Sequence, residues 1–167
     1  MKNNLIFIGM PSSGKTILGR LLAAELGRPF IDTDDVIRQI NGCELHEIMN
    51  RDGLDGFLQR EVEAIRTVDV ENTVIATGGS AVYSPAGMEH LKKIGTVIYV
   101  AISYETLERR VGDPHLRGVV LAPGKSLHDL YEERVPLYEK YADLTLVQAD
   151  GETTRESVSR LLGLINK

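Results

Sequence analysis

The amino-terminal part of the chain contains a short apolar run followed by a helical hydrophobic repeat. Residues 5–8, Leu-Ile-Phe-Ile, are apolar at every position and stop at a glycine, which predicts a strand buried on both faces. From residue 14 to residue 26, large apolar residues recur at helical spacing, and Gly27 follows as the expected C-cap. The chain therefore begins with a β–α unit.

The same alternation continues along the chain. Short apolar runs predict further strands at 29–31, 73–76, 96–100 and 144–147. Helical periodicity predicts helices at roughly 34–41, 45–67, 86–93, 104–110, 126–141 and 153–165. Strands that alternate with helices favour the α/β class, here a parallel five-stranded sheet with helices on both faces.

The length of 167 residues suits one domain with a single core, and no repeat or Pro/Ser-rich linker divides it. We therefore expect a single domain over 1–167. The segment 112–124, GDPHLRGVVLAPG, has no clear period and contains three glycines and two prolines. Its composition leaves two interpretations open, an ordinary surface loop or a mobile lid over a bound nucleotide.

The net charge, the apolar runs and the cysteine content limit the partners and the compartment that fit this sequence. The formal net charge is −5, which argues against a nucleic-acid partner. The apolar run at 5–10 is far shorter than a membrane span of about 20 residues, and it is too short for a signal peptide. The single cysteine, Cys43, forms no internal disulfide and fits a reducing compartment. We expect a cytoplasmic monomer without a membrane or nucleic-acid partner.

The segment GMPSSGKT, residues 9–16, joins the first predicted strand to the first predicted helix. It matches the full P-loop pattern Gly-x-x-x-x-Gly-Lys-Thr. In such a loop the backbone N–H groups surround a phosphate, the lysine reaches the β- and γ-phosphates, and the threonine hydroxyl ligates Mg²⁺. We therefore expect a nucleoside triphosphate to bind through five residues: Ser12, Ser13, Gly14, Lys15 and Thr16.

ATP is the nucleotide that the rest of the sequence favours. Guanine-specific switches carry an Asn-Lys-x-Asp element after a strand, and the Asn-Lys pair of this chain is the terminal Asn166-Lys167. The strand predicted at 73–76 is followed by Thr77-Gly78-Gly79 and lacks the aspartate that often binds the metal in P-loop proteins. Another acid must therefore help to hold the magnesium ion.

Two acids follow the second predicted strand, within FIDTDD at 30–35. Ligands of α/β sheets bind at the carboxyl ends of strands, so Asp32 and Asp34 suit a pair with one carboxylate near Mg²⁺ and one near an acceptor hydroxyl. In the alternative interpretation, Asp32 or Thr33 caps the next helix, and Asp34 and Asp35 favour its first turn. The preceding P-loop favours the functional interpretation.

The order and spacing of these blocks resemble the shikimate kinase family, a branch of the nucleoside-monophosphate-kinase-like P-loop fold. The resemblance runs nearly from end to end of the chain. It is carried by these blocks: residues 9–16, Asp32-Thr33-Asp34, DGLDGFLQRE at 52–61, Gly78-Gly79, Arg117, and ERVPLYEKYAD at 133–143.

The resemblance implies an ATP-dependent kinase that phosphorylates the hydroxyl of a small molecule. Asp34 would accept or orient the proton of the attacking hydroxyl. Asp32 would hold Mg²⁺ through water, beside Thr16 as a direct ligand. The segment 112–124 would be the mobile lid of a P-loop kinase, and its Arg117 would close over the γ-phosphate.

The same resemblance implies binding positions for the acceptor and for adenine. Gly78 and Gly79 would contact the acceptor, and Arg134 would pair with its carboxylate. Arg110 would flank the adenine, and Arg109 remains an open alternative for that contact.

The lid reads Arg117-Gly118-Val119-Val120 where the family has Arg-Pro-Leu-Leu, and two positions of the acceptor site also depart from the family pattern. Leucine occupies position 58, where the family's F-R-x-x-E pattern has an arginine that binds the shikimate carboxylate, and Ser80 replaces the third glycine of Gly-Gly-Gly. Either Arg134 binds the shikimate carboxylate in another pose, or the acceptor differs. In a purely structural interpretation, Arg134 forms an ion pair with Glu61. The acceptor is shikimate or, in the alternative, another small hydroxy acid, a polyol or a hydroxyl amino acid.

A second class of function is a nucleotide-binding module that has lost catalysis and acts by binding a partner protein. Lys15, Asp32, Asp34 and Arg117 argue against it, because such a module needs neither a base nor a lid arginine. A kinase is therefore the main interpretation of the sequence.

Overall fold

The computed structural model describes residues 2–114, 119 and 121–166. Within them, strands and helices alternate as the hydrophobic pattern predicts. The strands are β1 Asn4–Ile8, β2 Phe30–Asp32, β3 Val74–Ala76, β4 Gly95–Ala101 and β5 Leu144–Val147. The helices are α1 Lys15–Leu26, α2 Thr33–Asn41, α3 Leu45–Thr67, α4 Pro85–Ile94, α5 Tyr104–Val111, α6 Leu127–Tyr141 and α7 Thr154–Ile165.

The strands form one five-stranded parallel sheet in the order β2-β3-β1-β4-β5. Strand β1 lies at the centre, with Ile6 opposite Ile75 of β3 on one side and Val97 of β4 on the other. This position explains why all its residues are buried, since a central parallel strand has helices above and below it. The predicted α/β class with a parallel five-stranded sheet is confirmed.

Alternate residues of β1 enter two different core clusters. Leu5 and Phe7 pack with residues of α1 and α7, whereas Ile6 and Ile8 pack with residues of α3, α4, α5 and α6. The side chains of a strand alternate between its two faces, so these clusters lie on opposite sides of the sheet. A third, smaller cluster joins α2 to α3 through Ile37.

Two features differ from the predicted elements. Helix α3 contains a kink at Gly53, whose φ of 71° and ψ of −174° are not helical. A turn of 3-10 helix at Ala81–Tyr83 precedes α4. Among the residues that the structure describes, no helix is both long enough and apolar enough to cross a membrane.

Candidate active site

The predicted site residues gather at the carboxyl ends of three neighbouring strands. The P-loop follows β1, Asp32 ends β2, and Gly78-Gly79 follows β3. Because these strands are parallel and adjacent, their carboxyl ends share one edge of the sheet, where α/β proteins bind ligands.

The conformation of the P-loop depends on residues with positive φ. Gly9 has φ 152°, and a Cβ there would lie 2.8 Å from the carbonyl oxygen of Val100. Ser12 has φ 61°, a value that residues other than glycine rarely adopt, and Gly14 has φ 93°. The loop leads directly into the amino terminus of α1, whose free N–H groups and dipole favour an anion.

Lys15 is the buried cation of this loop. Only 7% of its surface is exposed, and its Nζ donates hydrogen bonds to the carbonyl oxygens of Gly9 at 2.8 Å and Met10 at 2.7 Å. Burial lowers the pKa of Lys15 to about 8, although the nearby Asp34 carboxylate opposes that shift. The ammonium group therefore lies against the inside of the loop, where a P-loop lysine meets phosphate.

Thr16 and Asp32 contact each other beside the loop. The Thr16 hydroxyl donates to Oδ2 of Asp32 at 3.0 Å, and Oδ1 of Asp32 accepts the backbone N–H of Asp34 at 3.0 Å. Asp32 therefore caps α2 with one oxygen and faces the P-loop with the other. A hydroxyl and a carboxylate oxygen next to a phosphate cradle match the oxygen ligands that Mg²⁺ prefers.

Thr16 and Asp32 alone do not complete the coordination of a metal ion, which needs further oxygen ligands. The described residues contain no group of three or more His, Cys, Asp or Glu side chains that could hold a metal ion. Mg²⁺ usually binds through one or two protein oxygens together with phosphates and waters, so Thr16 and Asp32 fit this type of site.

Asp34 lies in the first turn of α2, half-buried and facing the cleft. Burial raises the pKa of its carboxyl to about 6, and the neighbouring Asp32 carboxylate adds to the rise. Arg38 and Lys15 act in the opposite direction. A carboxylate with this pKa is suited to take up a proton near neutral pH.

The Gly78-Gly79 turn is tightly enclosed. A Cβ on Gly78 would lie 2.9 Å from Oε2 of Glu61 and 3.1 Å from Oδ1 of Asp34. A Cβ on Gly79 would lie 2.9 Å from Nη1 of Arg134. The absence of side chains therefore lets the backbone of this turn approach both carboxylates and the guanidinium group.

Arg134 is a second buried cation, with 4% of its surface exposed. Its Nε donates to the hydroxyl of Tyr83 at 3.0 Å, and its guanidinium lies 5.0 Å from the centroid of the Tyr83 ring. Arg134 and Glu61 are both described, and they are not within ion-pair distance of each other. The structural ion pair considered for them is therefore not formed, and the Arg134 guanidinium lines the cleft.

The two arginines at the end of α5 differ in their surroundings. Arg110 donates through Nη1 to the carbonyl oxygen of Ser13 at 3.2 Å and to Oε1 of Gln148 at 3.1 Å. Arg109 instead pairs with Asp150 at 3.1 Å on the exposed surface. Both line a cavity of about 390 Å³ between α5 and the segment that follows β5. Arg110, which contacts the loop itself, is the better placed of the two to meet a bound nucleotide.

Most of the predicted residues line one cleft of about 400 Å³. The polar and glycine residues are Ser12, Gly14, Lys15, Thr16, Asp32, Asp34, Glu61, Thr77, Gly78, Gly79, Ser80 and Arg134. The apolar residues are Pro11, Ile17, Leu45, Leu54, Phe57 and Val119. The cleft is thus large enough for a small polar molecule next to the phosphate-binding loop.

A sequence profile of the shikimate kinase family matches residues 11–166. The chain is 41% identical over 163 residues to a shikimate kinase from Synechococcus sp. (strain RCC307), covering 95% of this chain and 82% of that relative. The chain belongs to the shikimate kinase family. A shikimate kinase from Haemophilus influenzae (strain PittEE) is 34% identical over 169 residues, covering 99% of this chain and 93% of the relative.

Solved structures of shikimate kinases show the same architecture. The protein from Acinetobacter baumannii, in complex with shikimate, matches with a TM-score of 0.87 and 30% identity over 98% of this chain and 93% of that one. The protein from Aquifex aeolicus vf5 matches with a TM-score of 0.84 and 28% identity, covering 98% and 96%. A sugar kinase from Janibacter sp. HTCC2649, 13% identical with a TM-score of 0.63, shares the fold alone.

The lid that the shikimate kinase resemblance implies is described only in part. Arg117 lies outside the described residues, so its role over the γ-phosphate remains a prediction. Within the segment 112–124, Val119 lines the cleft and its backbone N–H donates to the carbonyl oxygen of Pro114 at 3.0 Å. The segment therefore borders the cleft at this residue.

The two departures from the shikimate kinase pattern have different structural settings. Leu58 is half-buried and lines a neighbouring cavity of about 280 Å³, which it shares with Glu61, Ser80 and Tyr83. Ser80 has φ −87° and ψ −5°, which any residue adopts, and its hydroxyl donates to Oε1 of Glu61 at 2.7 Å. A serine at position 80 is therefore accommodated without backbone strain.

Two tyrosines that hydrogen-bond to residues of the cleft were not predicted from the sequence. Tyr138 donates its hydroxyl to the carbonyl oxygen of Gly79 at 2.7 Å, and its ring stacks 5.2 Å from that of Tyr99. Its position four residues after Arg134 on α6 places both on one helix face, a signal that could have identified it. Tyr83 lies in the unpredicted 3-10 turn, and no local pattern points to it.

Proposed function

We propose that this chain transfers the γ-phosphoryl group of ATP to the 3-hydroxyl of shikimate and releases shikimate 3-phosphate and ADP. The observation that carries the proposal is the meeting of Lys15, Asp34 and Arg134 in one cleft beside the P-loop. Membership in the shikimate kinase family supports shikimate as the acceptor.

The nucleotide would bind along the P-loop. The backbone N–H groups of Ser12, Ser13 and Gly14 would surround the β-phosphate, and the ammonium of Lys15 would leave the loop carbonyls to contact the β- and γ-phosphates. Arg110 contacts the loop backbone and also lines the cavity between α5 and the segment after β5, which supports it as the residue beside adenine.

In the transfer step, the acceptor hydroxyl attacks the γ-phosphorus in line with the leaving oxygen of ADP. A bond forms between the acceptor oxygen and phosphorus, the bond from the β–γ bridging oxygen to phosphorus breaks, and the hydroxyl proton passes to Asp34. Lys15 and Arg117 would stabilise the negative charge on the phosphoryl oxygens. The half-buried carboxylate of Asp34 and the buried ammonium of Lys15 support this division of labour.

Thr16 and Asp32 would hold Mg²⁺, with Thr16 as the direct ligand and Asp32 acting through water. When bound, the ion would supply neutralisation of phosphate charge. The hydrogen bond between the two side chains supports this pairing, because it brings both oxygens to the same side of the loop.

The acceptor would occupy the part of the cleft between Asp34 and Arg134. Gly78 and Gly79 would present their backbone to it, and the Arg134 guanidinium, 2.9 Å from the Cβ position of Gly79, would pair with its carboxylate. The segment 112–124 would act as the lid that excludes water.

We further propose that the chain works as a single-domain cytoplasmic monomer without a nucleic-acid or membrane partner. The net charge of −5 supports the absence of a nucleic-acid partner. The two larger core clusters share one sheet, and the third joins α2 to α3, which supports one domain over 1–167.

Leu58 favours a second candidate, a kinase of another small hydroxy acid, a polyol or a hydroxyl amino acid. An apolar residue at this position offers no charge to a carboxylate, which suits an acceptor that binds through Arg134 alone or has no carboxylate. A non-catalytic nucleotide-binding module receives less support, since Lys15 and Asp34 line the same cleft.

The test is ADP release from Mg·ATP in the presence of shikimate, with the product identified by phosphorus NMR. We expect shikimate-dependent ADP release and a new phosphomonoester signal, both lost by orders of magnitude in Lys15→Ala. A matched panel of hydroxy acids, polyols and hydroxyl amino acids is assayed in parallel. Turnover of one of these without turnover of shikimate would replace the proposed acceptor.

A further inference from the structure

Glu61 is a buried carboxylate to which the proposed reaction gives no task. It lies on α3 with 1% of its surface exposed, and it lines the cleft together with Asp34 and Arg134. Its Oε1 accepts the 2.7 Å hydrogen bond from Ser80. Its Oε2 is buried and has no hydrogen-bond partner within the part of the chain that the structure describes. Among the described residues, Ser80 therefore donates the hydrogen bond that holds this carboxylate in place.

Ser80 also belongs to the turn that faces the acceptor, because it follows Gly78-Gly79 directly. Oε2 of Glu61 lies 2.9 Å from the Cβ position of Gly78, so the carboxylate packs against the turn itself. On the other side, the Tyr138 hydroxyl donates to the carbonyl oxygen of Gly79 at 2.7 Å. Two hydrogen bonds thus hold the turn between α3 and α6.

We propose that Ser80 is a positioning residue for acceptor binding: through its hydrogen bond to Glu61 it fixes the Gly78-Gly79 turn against helix α3. The inference rests on the proposed kinase function, because the turn matters for catalysis only if the acceptor contacts it. The hydroxyl is essential to this role, since alanine or glycine at position 80 offers Glu61 no donor.

The charge of Glu61 depends on the same contact. Burial raises the pKa of Glu61 to about 7, the hydrogen bond from Ser80 lowers it, the nearby Asp34 carboxylate raises it, and Arg134 lowers it. Asp34 faces Glu61 from α2 and Arg134 faces it from α6. Because Ser80 donates to the charged form, removing its hydroxyl raises the pKa of Glu61 further.

The first test compares Ser80→Ala, Ser80→Thr and the control Ser84→Ala in steady-state assays. Ser84 lies on the same segment, but its hydroxyl oxygen accepts the N–H of Gly87 as the cap of α4. We expect Ser80→Ala to raise the KM for shikimate about three- to tenfold, as for one lost buried hydrogen bond. The KM for ATP and kcat should stay unchanged, Ser80→Thr should restore the KM, and Ser84→Ala should alter stability but not the KM.

The second test follows the Glu61 carboxyl by carbon-13 NMR titration, with Glu61→Gln used to assign its resonance. We expect the pKa of Glu61 to rise in Ser80→Ala and to return towards the wild-type value in Ser80→Thr. An unchanged pKa overturns the proposal, as does an unchanged KM for shikimate in Ser80→Ala when the wild-type protein is active. A wild-type protein without shikimate turnover overturns the proposed function instead, and the titration then decides whether Ser80 controls Glu61.

Discussion

Asp34 shows how the surroundings of one residue adapt it to a chemical task. Its carboxyl is half-buried and close to Asp32, and both effects raise its pKa to about 6. A carboxyl group must be deprotonated to accept a proton. Below pH 6 most Asp34 side chains are protonated and unable to act as a base, whereas above pH 6 most are ready to do so.

The first prediction concerns this residue. Asp34→Asn should lower kcat by about 10²- to 10⁴-fold, because the amide cannot take the proton, and it should leave ADP affinity almost unchanged. In the wild type, kcat/KM should rise with pH through about 6, the pKa of the free carboxyl. The measurements are steady-state rates from pH 5 to pH 8 and calorimetric titration with Mg·ADP. A large loss of ADP binding in Asp34→Asn would place Asp34 on the metal.

The second prediction concerns Leu58, where the chain departs from its family. Leu58→Arg should lower the KM for shikimate by about tenfold or more, the amount expected for one added charged contact. The measurement is ADP production at saturating ATP across shikimate concentrations. Leu58→Gln is the control, because a long uncharged side chain should give little gain. A KM that does not change in Leu58→Arg would mean that Arg134 alone binds the carboxylate.

At the residue scale, the sequence predicts those site residues that belong to a short local motif. The P-loop and the acid pair were identified because their spacing in the chain is itself the signal. The hydrogen bond between Ser80 and Glu61 joins residues 19 apart, and that between Arg134 and Tyr83 joins residues 51 apart. Such contacts follow from how α3, α6 and the turn after β3 pack, which no local pattern encodes.

At the scale of elements, helix starts were predictable because capping is local. Ser84, Ser103, Ser126 and Thr153 each accept a backbone N–H at the start of α4, α5, α6 and α7. The kink at Gly53 was not predictable in this way. A single glycine within a helical pattern gives no sign in the sequence of its backbone conformation. Gly53 has φ 71° and ψ −174°, which are not helical.

The third prediction tests this kink. Gly53→Ala should lower the free energy of unfolding by about 1–3 kcal/mol, because residues other than glycine are strained in this backbone region. Gly163→Ala on α7 is the matched control. Gly163 has no atom within 4 Å of its Cβ position, and alanine there should stabilise the protein by about 0.5–1 kcal/mol. Urea unfolding followed by circular dichroism measures both changes, and equal effects would contradict the strained geometry of Gly53.

At the scale of the whole molecule, the sheet couples the two large core clusters. Phe7 packs in one cluster and Ile8 in the other, although they are neighbours on the same strand. The α/β class was predictable from the alternation of strands and helices. The strand order was not predicted, because it depends on the direction in which each connecting helix crosses the sheet.

The fourth prediction follows from this coupling. Phe7→Ala and Ile8→Ala should each lower the free energy of unfolding by about 2–5 kcal/mol, and each should destabilise both faces of the sheet together. The measurement is hydrogen exchange of amides in α7, on one face, and α4, on the other, at increasing urea concentration. Val147→Ala is the control, since Val147 is 61% exposed. Loss of protection on one face alone would contradict a shared cooperative unit.

The central place of β1 has a consequence for the synthesis of the protein. The ribosome makes this strand before both of its partners, which are β3 at residues 74–76 on one side and β4 at residues 95–101 on the other. Throughout the translation of the intervening chain, the apolar run at 5–8 has an unpaired edge, and such edges promote aggregation. On the nascent chain this edge therefore stays unpaired until β4 has emerged from the exit tunnel.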